Sequence, residues 1–145
     1  MSRLIIAAAV IVVAGLIAWW AQRNKVDPPT RPEHWTIPAQ LDRADFDSPE
    51  VPWLVVVFSS ATCGVCQLVV AKSKALASRQ VAVQEVEYGT DQSLHDRYGV
   101  DAVPTTIIVD QLGVVRRSFV GPVSATDLWA AAAEARDDLP AQPAE

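Results

Sequence analysis

Apolar residues run from Leu4 to Trp20 without a single charge. As a helix this run would reach about 26 Å, against a hydrocarbon core of about 30 Å. Trp19 and Trp20 close it at the depth that aromatic rings favour, and Arg23 and Lys25 follow. The pattern predicts one uncleaved transmembrane helix, an anchor over residues 4–21. A cleaved signal peptide fits less well. Its apolar region is shorter, about 7–15 residues, and Ala18-Trp19-Trp20-Ala21 is a poor small-x-small cleavage site. A buried core helix fits least, because the run is apolar all round. Residues 22–38 carry Pro28, Pro29, Pro32 and Pro38, which exclude helix and central strand. They read as a Pro-rich linker with a reach of roughly 50 Å.

The pattern changes over residues 39–136, where short apolar blocks alternate with amphipathic ones. Leu41 to Phe46 suggests a short first strand. Trp53 to Phe58 is a continuous β-branched and aromatic block, as suits a strand buried on both faces. Cys63 to Ser78 places Leu68, Ala71, Ala75 and Leu76 at helical spacing, with Lys72, Lys74 and Arg79 elsewhere. Val81 to Val86 alternates as a strand does. Thr90 to Tyr98 predicts a short helix capped by Thr90 or Asp91 and ended by Gly99. Thr105 to Val109 and Val114 to Val120 read as a hairpin broken at Gly113. Ser124 is a fitting N-cap for a last helix through Arg136. Residues 137–145 are polar and Pro-containing, a disordered tail. The order predicts an α/β domain with a central mixed sheet flanked by helices.

Charge narrows the function. A formal net charge of -5 and a pI near 4.9 argue against a nucleic-acid partner. Neither repeats nor a Gly-rich phosphate loop occurs. The charges around the apolar run bear on sidedness. Arg3 and the amino terminus precede it, and Arg23, Lys25 and Arg31 follow. The count leans weakly toward a cytoplasmic domain and leaves the side of the membrane undecided.

Both cysteines of the chain fall in Phe58-Ser59-Ser60-Ala61-Thr62-Cys63-Gly64-Val65-Cys66, just past the buried block. A Cys-x-x-Cys alone admits several chemistries. Zinc wants four ligands, and only His34 and His95 remain, one in the linker and one in a separate helix. Haem attachment needs His after the second cysteine, where Gln67 stands. A redox pair and an inert packing pair remain. His95 reads as a surface helix residue, and no metal is implied.

With further motifs added, most of the 39–136 domain resembles thioredoxin. Val103-Pro104-Thr105 is similar to the family's Ile-Pro-Thr, whose proline is cis and faces the cysteine pair. Arg97-Tyr98-Gly99-Val100 resembles the Lys-Tyr-Gly-Ile before it, and Val120-Gly121 matches the Val-Gly after the last strand. Departures cluster around the cysteines. Thr62 stands for the family's Trp, Ser59 for an earlier Trp, and Val65 for the Pro between the cysteines. Val57 and Val83 replace its buried Asp and the accompanying Lys.

The resemblance implies a thioredoxin-like fold and a membrane-tethered thiol–disulfide oxidoreductase. Cys63, at a helix start where negative charge is favoured, would be the nucleophile, and Cys66 would resolve the mixed disulfide. The pair would cycle through a Cys63–Cys66 disulfide. Gly64, Val65, Thr62, Val103 and Pro104 would meet the substrate, with Val103 backbone atoms presented to an extended chain. Thr62 would also cap the helix or bond the thiolate. No cofactor is implied; electrons would pass to and from protein disulfides and a redox partner protein. Without the family's carboxylate, proton transfer at Cys66 should rely on water. The alternative is a non-enzymatic thioredoxin-fold adaptor, redox sensor or sulfur carrier.

Overall fold

The computed structural model describes residues 35–137. The expected anchor at 4–21, the linker up to residue 34 and the tail beyond Asp137 lie outside the described residues. Among the described residues no helix is long and apolar enough to cross a membrane.

Among the described residues four strands form one sheet: β1 (Trp53–Ser59), β2 (Val81–Glu87), β3 (Thr105–Val109) and β4 (Val115–Val120), in the order β2-β1-β3-β4. β1 runs parallel to β2 and antiparallel to β3, which pairs antiparallel with β4. The sheet is therefore mixed. Every residue of β1 is buried, as its unbroken apolar block requires of a central strand covered on both faces. Three helices cover it: α1 (Cys66–Lys74), α2 (Tyr88–Tyr98) and α3 (Ala125–Asp137).

Strand alternation divides the core in two. Trp53, Val55 and Val57 pack with Val69 and Val70 of α1 and with Leu128, Ala131 and Ala135 of α3. Leu54, Val56 and Phe58 pack on the opposite face with Leu41, Phe46 and Ile107, and with Leu94 and Tyr98 of α2. Ile37 and Val103 join this second cluster.

Several elements differ from the sequence expectation. Leu41 to Phe46 is no strand. Arg43–Asp45 forms a 3-10 turn, capped by Asp42 through the Ala44 amide, and only Gln40 bridges the sheet, at Val114. The buried Arg43 side chain explains the turn: it donates to Asp110 O at 2.9 Å and Val51 O at 2.8 Å. α1 is shorter than the expected 63–78 and turns a different face inward. Its buried residues are Cys66, Val69, Val70 and Ser73, whereas Leu68 is 63% exposed. α2 begins at Tyr88, capped by Glu87, whose carboxylate accepts the Thr90 amide. Neither Thr90 nor Asp91 caps it; Asp91 is a kink inside it, with φ −126° and ψ 38°. Gly99 ends α2 in the left-handed region, as expected. Ser124 Oγ accepts the Asp127 amide at 3.0 Å and so caps α3.

His95 departs furthest. It is 1% exposed rather than on the surface. Its ring nitrogens lie 3.3 Å from Val100 O and 3.1 Å from Val86 O, and Phe58 and Tyr88 contact it edge-on. Those contacts make it a structural pin between α2 and β2.

Candidate active site: the Cys63–Cys66 pair

β1 leaves the sheet at Ser59, and residues 60–65 carry the chain into α1. Two backbone bonds close this loop. The Cys63 amide donates to Ser60 O at 3.0 Å, and the Cys66 amide donates to Cys63 O at 3.3 Å. Cys63 thus precedes the helix, which starts at Cys66. The N-cap is Val65, which makes no side-chain cap bond. Thr62, expected at the cap, lies outside it, with its hydroxyl 3.1 Å from that of Ser60. The leading end of α1 therefore keeps its partial positive charge uncapped, and such a charge favours a nearby thiolate.

Cys63 and Cys66 are joined by a disulfide, with Cα atoms 5.4 Å apart. The two differ in access. Cys66 has 0% exposure, while Cys63 is half-buried. Around them Thr62, Gly64 and Val65 are exposed. A Cβ added at Gly64 would meet nothing within 4 Å, so the loop surface there is open to an approaching chain.

The sheet register brings the Val103–Pro104 segment to the same end of the domain. Phe58 pairs with Thr105, so the residues just before Thr105 run past the point where β1 gives out. The Val103–Pro104 peptide is cis. Pro104 is buried, and its carbonyl accepts the Gly121 amide at 2.7 Å. Val103 and Ser60 line one cleft of about 620 Å³, together with Tyr88, His95, Asp96 and Asp101. Tyr88 is 44% exposed there, an aromatic surface that sequence reasoning missed.

Two glutamates at the end of β2 also escaped the sequence reading. Glu87 Oε1 accepts the Ala61 amide at 2.9 Å, and Oε2 accepts the Thr90 amide at 3.2 Å. The amides of Gly89, Ala61 and Thr90 hold its carboxyl below the ordinary carboxylate value. Glu85 Oε1 accepts from the hydroxyl of Ser59 at 2.7 Å. Ser59 is wholly buried. The signal for both was the alternation of β2, which puts Val81, Val83, Glu85 and Glu87 on one face.

A family model, Thioredoxin, matches residues 40–134. The chain belongs to the thioredoxin family. Among solved structures it is similar to a mutant thioredoxin from Halobacterium salinarum NRC-1, at 22% identity and a TM-score of 0.56, covering 72% of this chain and 93% of that one. It is also similar to a structure described as a malarial protein, at 20% identity and a TM-score of 0.53, covering 57% and 96%. These likenesses show the fold. No curated protein matches the chain in sequence. Family membership and a cysteine pair at bonding distance support a thiol–disulfide oxidoreductase type of site.

Proposed function

We propose that this thioredoxin-family chain is a membrane-tethered thiol–disulfide oxidoreductase that exchanges electrons with protein disulfides through Cys63 and Cys66. The observation that carries the reading is the asymmetry of the pair: a half-buried Cys63 bonded to a wholly buried Cys66. An accessible thiolate attacks the substrate disulfide and forms a mixed disulfide. The buried thiol then attacks Cys63 and releases the reduced substrate. Beside the pair, Gly64, Val65 and Thr62 form the exposed rim; Val103 lines the cleft that an extended substrate would occupy, and the buried Pro104 follows it through a cis peptide. The apolar run 4–21 supplies the tether, and the linker spaces the domain from the bilayer.

The test is reduction of a protein disulfide by the reduced wild type, Cys63→Ser and Cys66→Ser. Activity in the wild type, none in Cys63→Ser, and a trapped mixed disulfide in Cys66→Ser is the expected pattern. A wild type that is inactive with every reductant system overturns the enzyme reading. Thiol labelling of Cys63 in intact against permeabilised cells tests the tether's sidedness, and extraction of the protein with soluble proteins by salt alone overturns the anchor.

A further inference from the structure

The cleft of about 620 Å³ starts beside the cysteine pair. Ser60, on one wall, accepts the Cys63 amide through its carbonyl oxygen at 3.0 Å, so the cleft begins one hydrogen bond away from Cys63. Tyr88, Asp96, Asp101 and Val103 continue the lining. A chain entering there must bring groups that match these walls. Which disulfides Cys63 meets is a finer question than the exchange reading above, and its answer rests on that reading.

The walls carry charge of one sign. Residues 59–71, 85–96 and 99–104 build the cysteine loop, much of α1, most of α2 and the cis-proline segment. They hold Glu85, Glu87, Asp91, Asp96 and Asp101 but neither Lys nor Arg. Three of these carboxylates are engaged within the fold: Glu85 by the Ser59 hydroxyl, Glu87 by the Ala61 and Thr90 amides, and Asp91 by the Thr90 hydroxyl. Asp96 and Asp101 are exposed in the cleft, and among the described residues neither carboxylate has a hydrogen-bond or ion-pair partner. The cations that flank these segments are turned to other groups: Arg97 pairs with Asp42 and Asp45, and Lys72 donates to Val123 O. The Tyr88 ring, 44% exposed, adds a second and different attraction, because an aromatic face binds cations. A cleft lined by one sign of charge raises the local concentration of the opposite sign.

We propose that the cleft selects cationic substrates: an extended polypeptide with Lys or Arg close to its disulfide, the basic side chain held by Asp96, Asp101 and the Tyr88 ring. Selection acts on encounter and binding, and the exchange steps at sulfur are unchanged. A disulfide flanked by Asp or Glu meets the same field as repulsion, so the cleft discriminates in both directions. Asp96 and Asp101 thus set specificity and take no part in the bond making and breaking.

Two readouts test the assignment. The first needs no exchange with a protein. In the reduced Cys66→Ser variant Cys63 is the one thiol of the chain. It is labelled with trimethylammonioethyl or with sulfonatoethyl methanethiosulfonate. The thiolate attacks the sulfenyl sulfur, a disulfide forms, and methanesulfinate leaves with the electron pair. The cation-to-anion rate ratio is divided by the ratio that free mercaptoethanol shows. It should be about 5-fold above unity at low ionic strength and shrink in about 0.5 M salt. Adding Asp96→Asn and Asp101→Asn together should lower it at least about 2-fold. Glu50→Gln with Asp137→Asn is the comparison, removing the same charge at the other end of the domain. Glu50 shortly precedes the start of β1, and Asp137 follows Arg136, which bonds Gln80 just ahead of β2. A ratio near unity overturns the proposal, as does an equal fall in the two pairs of substitutions. The second readout is reduction by the chain with both cysteines of peptide disulfides carrying Lys or Glu beside the cysteine. The Lys peptide should react several-fold faster, and Asp96→Asn with Asp101→Asn should narrow the difference; no preference overturns the proposal. A chain that reduces neither peptide sinks the functional reading, and the labelling ratio then judges the cleft alone.

Discussion

Glu87 and Ala61 join the end of β2 to the loop that carries Cys63. The Ala61 amide donates to Glu87 Oε1 at 2.9 Å, and the other carboxylate oxygen caps α2 through Thr90. One side chain thus holds the loop that leads to Cys63 and the start of α2, whose Tyr88 lines the cleft. Sequentially the segments are far apart, and the carboxylate serves as a short strand extension would.

The pH dependence of stability should report this carboxylate. Its amide partners hold it below its ordinary value of 4.5. A depressed acid binds fewer protons in the folded state than in the unfolded state. Its contribution is therefore complete above the ordinary value and is lost as pH falls through the lower folded value. Glu87→Gln should be less stable than the wild type at neutral pH, with the gap closing as pH drops below about 4.5. Thermal unfolding across that range measures it. A gap that stays constant with pH would show that the charge contributes nothing.

The sheet was legible in the sequence because β1 and β3 are nearly continuous apolar or β-branched blocks that follow Pro52 and Pro104, and β4 lies between Gly113 and Gly121. The cysteine motif and Val103-Pro104-Thr105 were legible because spacing and residue type suffice to see them. What escaped was decided by tertiary contact. Arg43 folds inward onto Asp110 and Val51 carbonyls, and no local pattern announces that. Leu68 looked like core at helical spacing, yet α1 is rotated so that Val69 and Val70 face the sheet. His95 sits in a polar stretch, and only the Val86 and Val100 carbonyls make its burial tolerable. The β1–β2 register sets Glu85 beside Val57, and no local pattern announces its bond to Ser59.

Two left-handed glycines should respond very differently to alanine. Gly99 has φ 61° and Gly113 has φ 77°, so both substitutions strain the backbone. At Gly99 a Cβ meets nothing within 4 Å, and the loss should be the conformational term alone, about 1–2 kcal/mol. At Gly113 the Cβ would fall 1.9 Å from the Leu41 carbonyl oxygen. The Leu41 amide donates to Gly113 O at 2.8 Å, so neither segment can retreat freely. Gly113→Ala should lose more than about 4 kcal/mol, in the exceptional range for a point change. Denaturant unfolding of both variants decides it, and equal losses would contradict the clash.

Ion pairs should separate by burial in the same way. Asp110 is 4% exposed. Its Oδ1 accepts the Leu112 and Val114 amides at 2.9 and 3.0 Å, and Oδ2 accepts Arg116 Nη2 at 2.6 Å. Asp110→Ala strands the Leu112 and Val114 amides and removes the acceptor of Arg116 Nε and Nη2, and should cost about 3 kcal/mol. Arg97 pairs with Asp42 at 3.4 Å, with both side chains over half exposed, and with Asp45 at 3.1 Å. Arg97→Ala should cost under about 1 kcal/mol, and less in salt. Chemical denaturation at low and high salt ranks the two, and a reversed order would refute the argument from burial.

Alkylation of the reduced protein should distinguish the two thiols. Cys63 is half-buried and lies in a turn ahead of α1, whereas Cys66 has 0% exposure and starts the helix. Access and charge act in the same direction here. A reagent reaches Cys63 without any opening of the fold, and the uncapped end of α1 favours the thiolate that reacts. Cys66 can be modified only when α1 lifts from the sheet, and that opening must break its contacts with the first core cluster. Iodoacetamide should therefore label Cys63 more than about 10-fold faster in the native state. In denaturant the ratio should fall toward unity, since both differences belong to the fold. Mass spectrometry of the labelled peptides over time gives both rates. Equal native rates would mean that the buried position of Cys66 is open on the labelling timescale, and the division into an attacking and a resolving thiol would lose its structural basis.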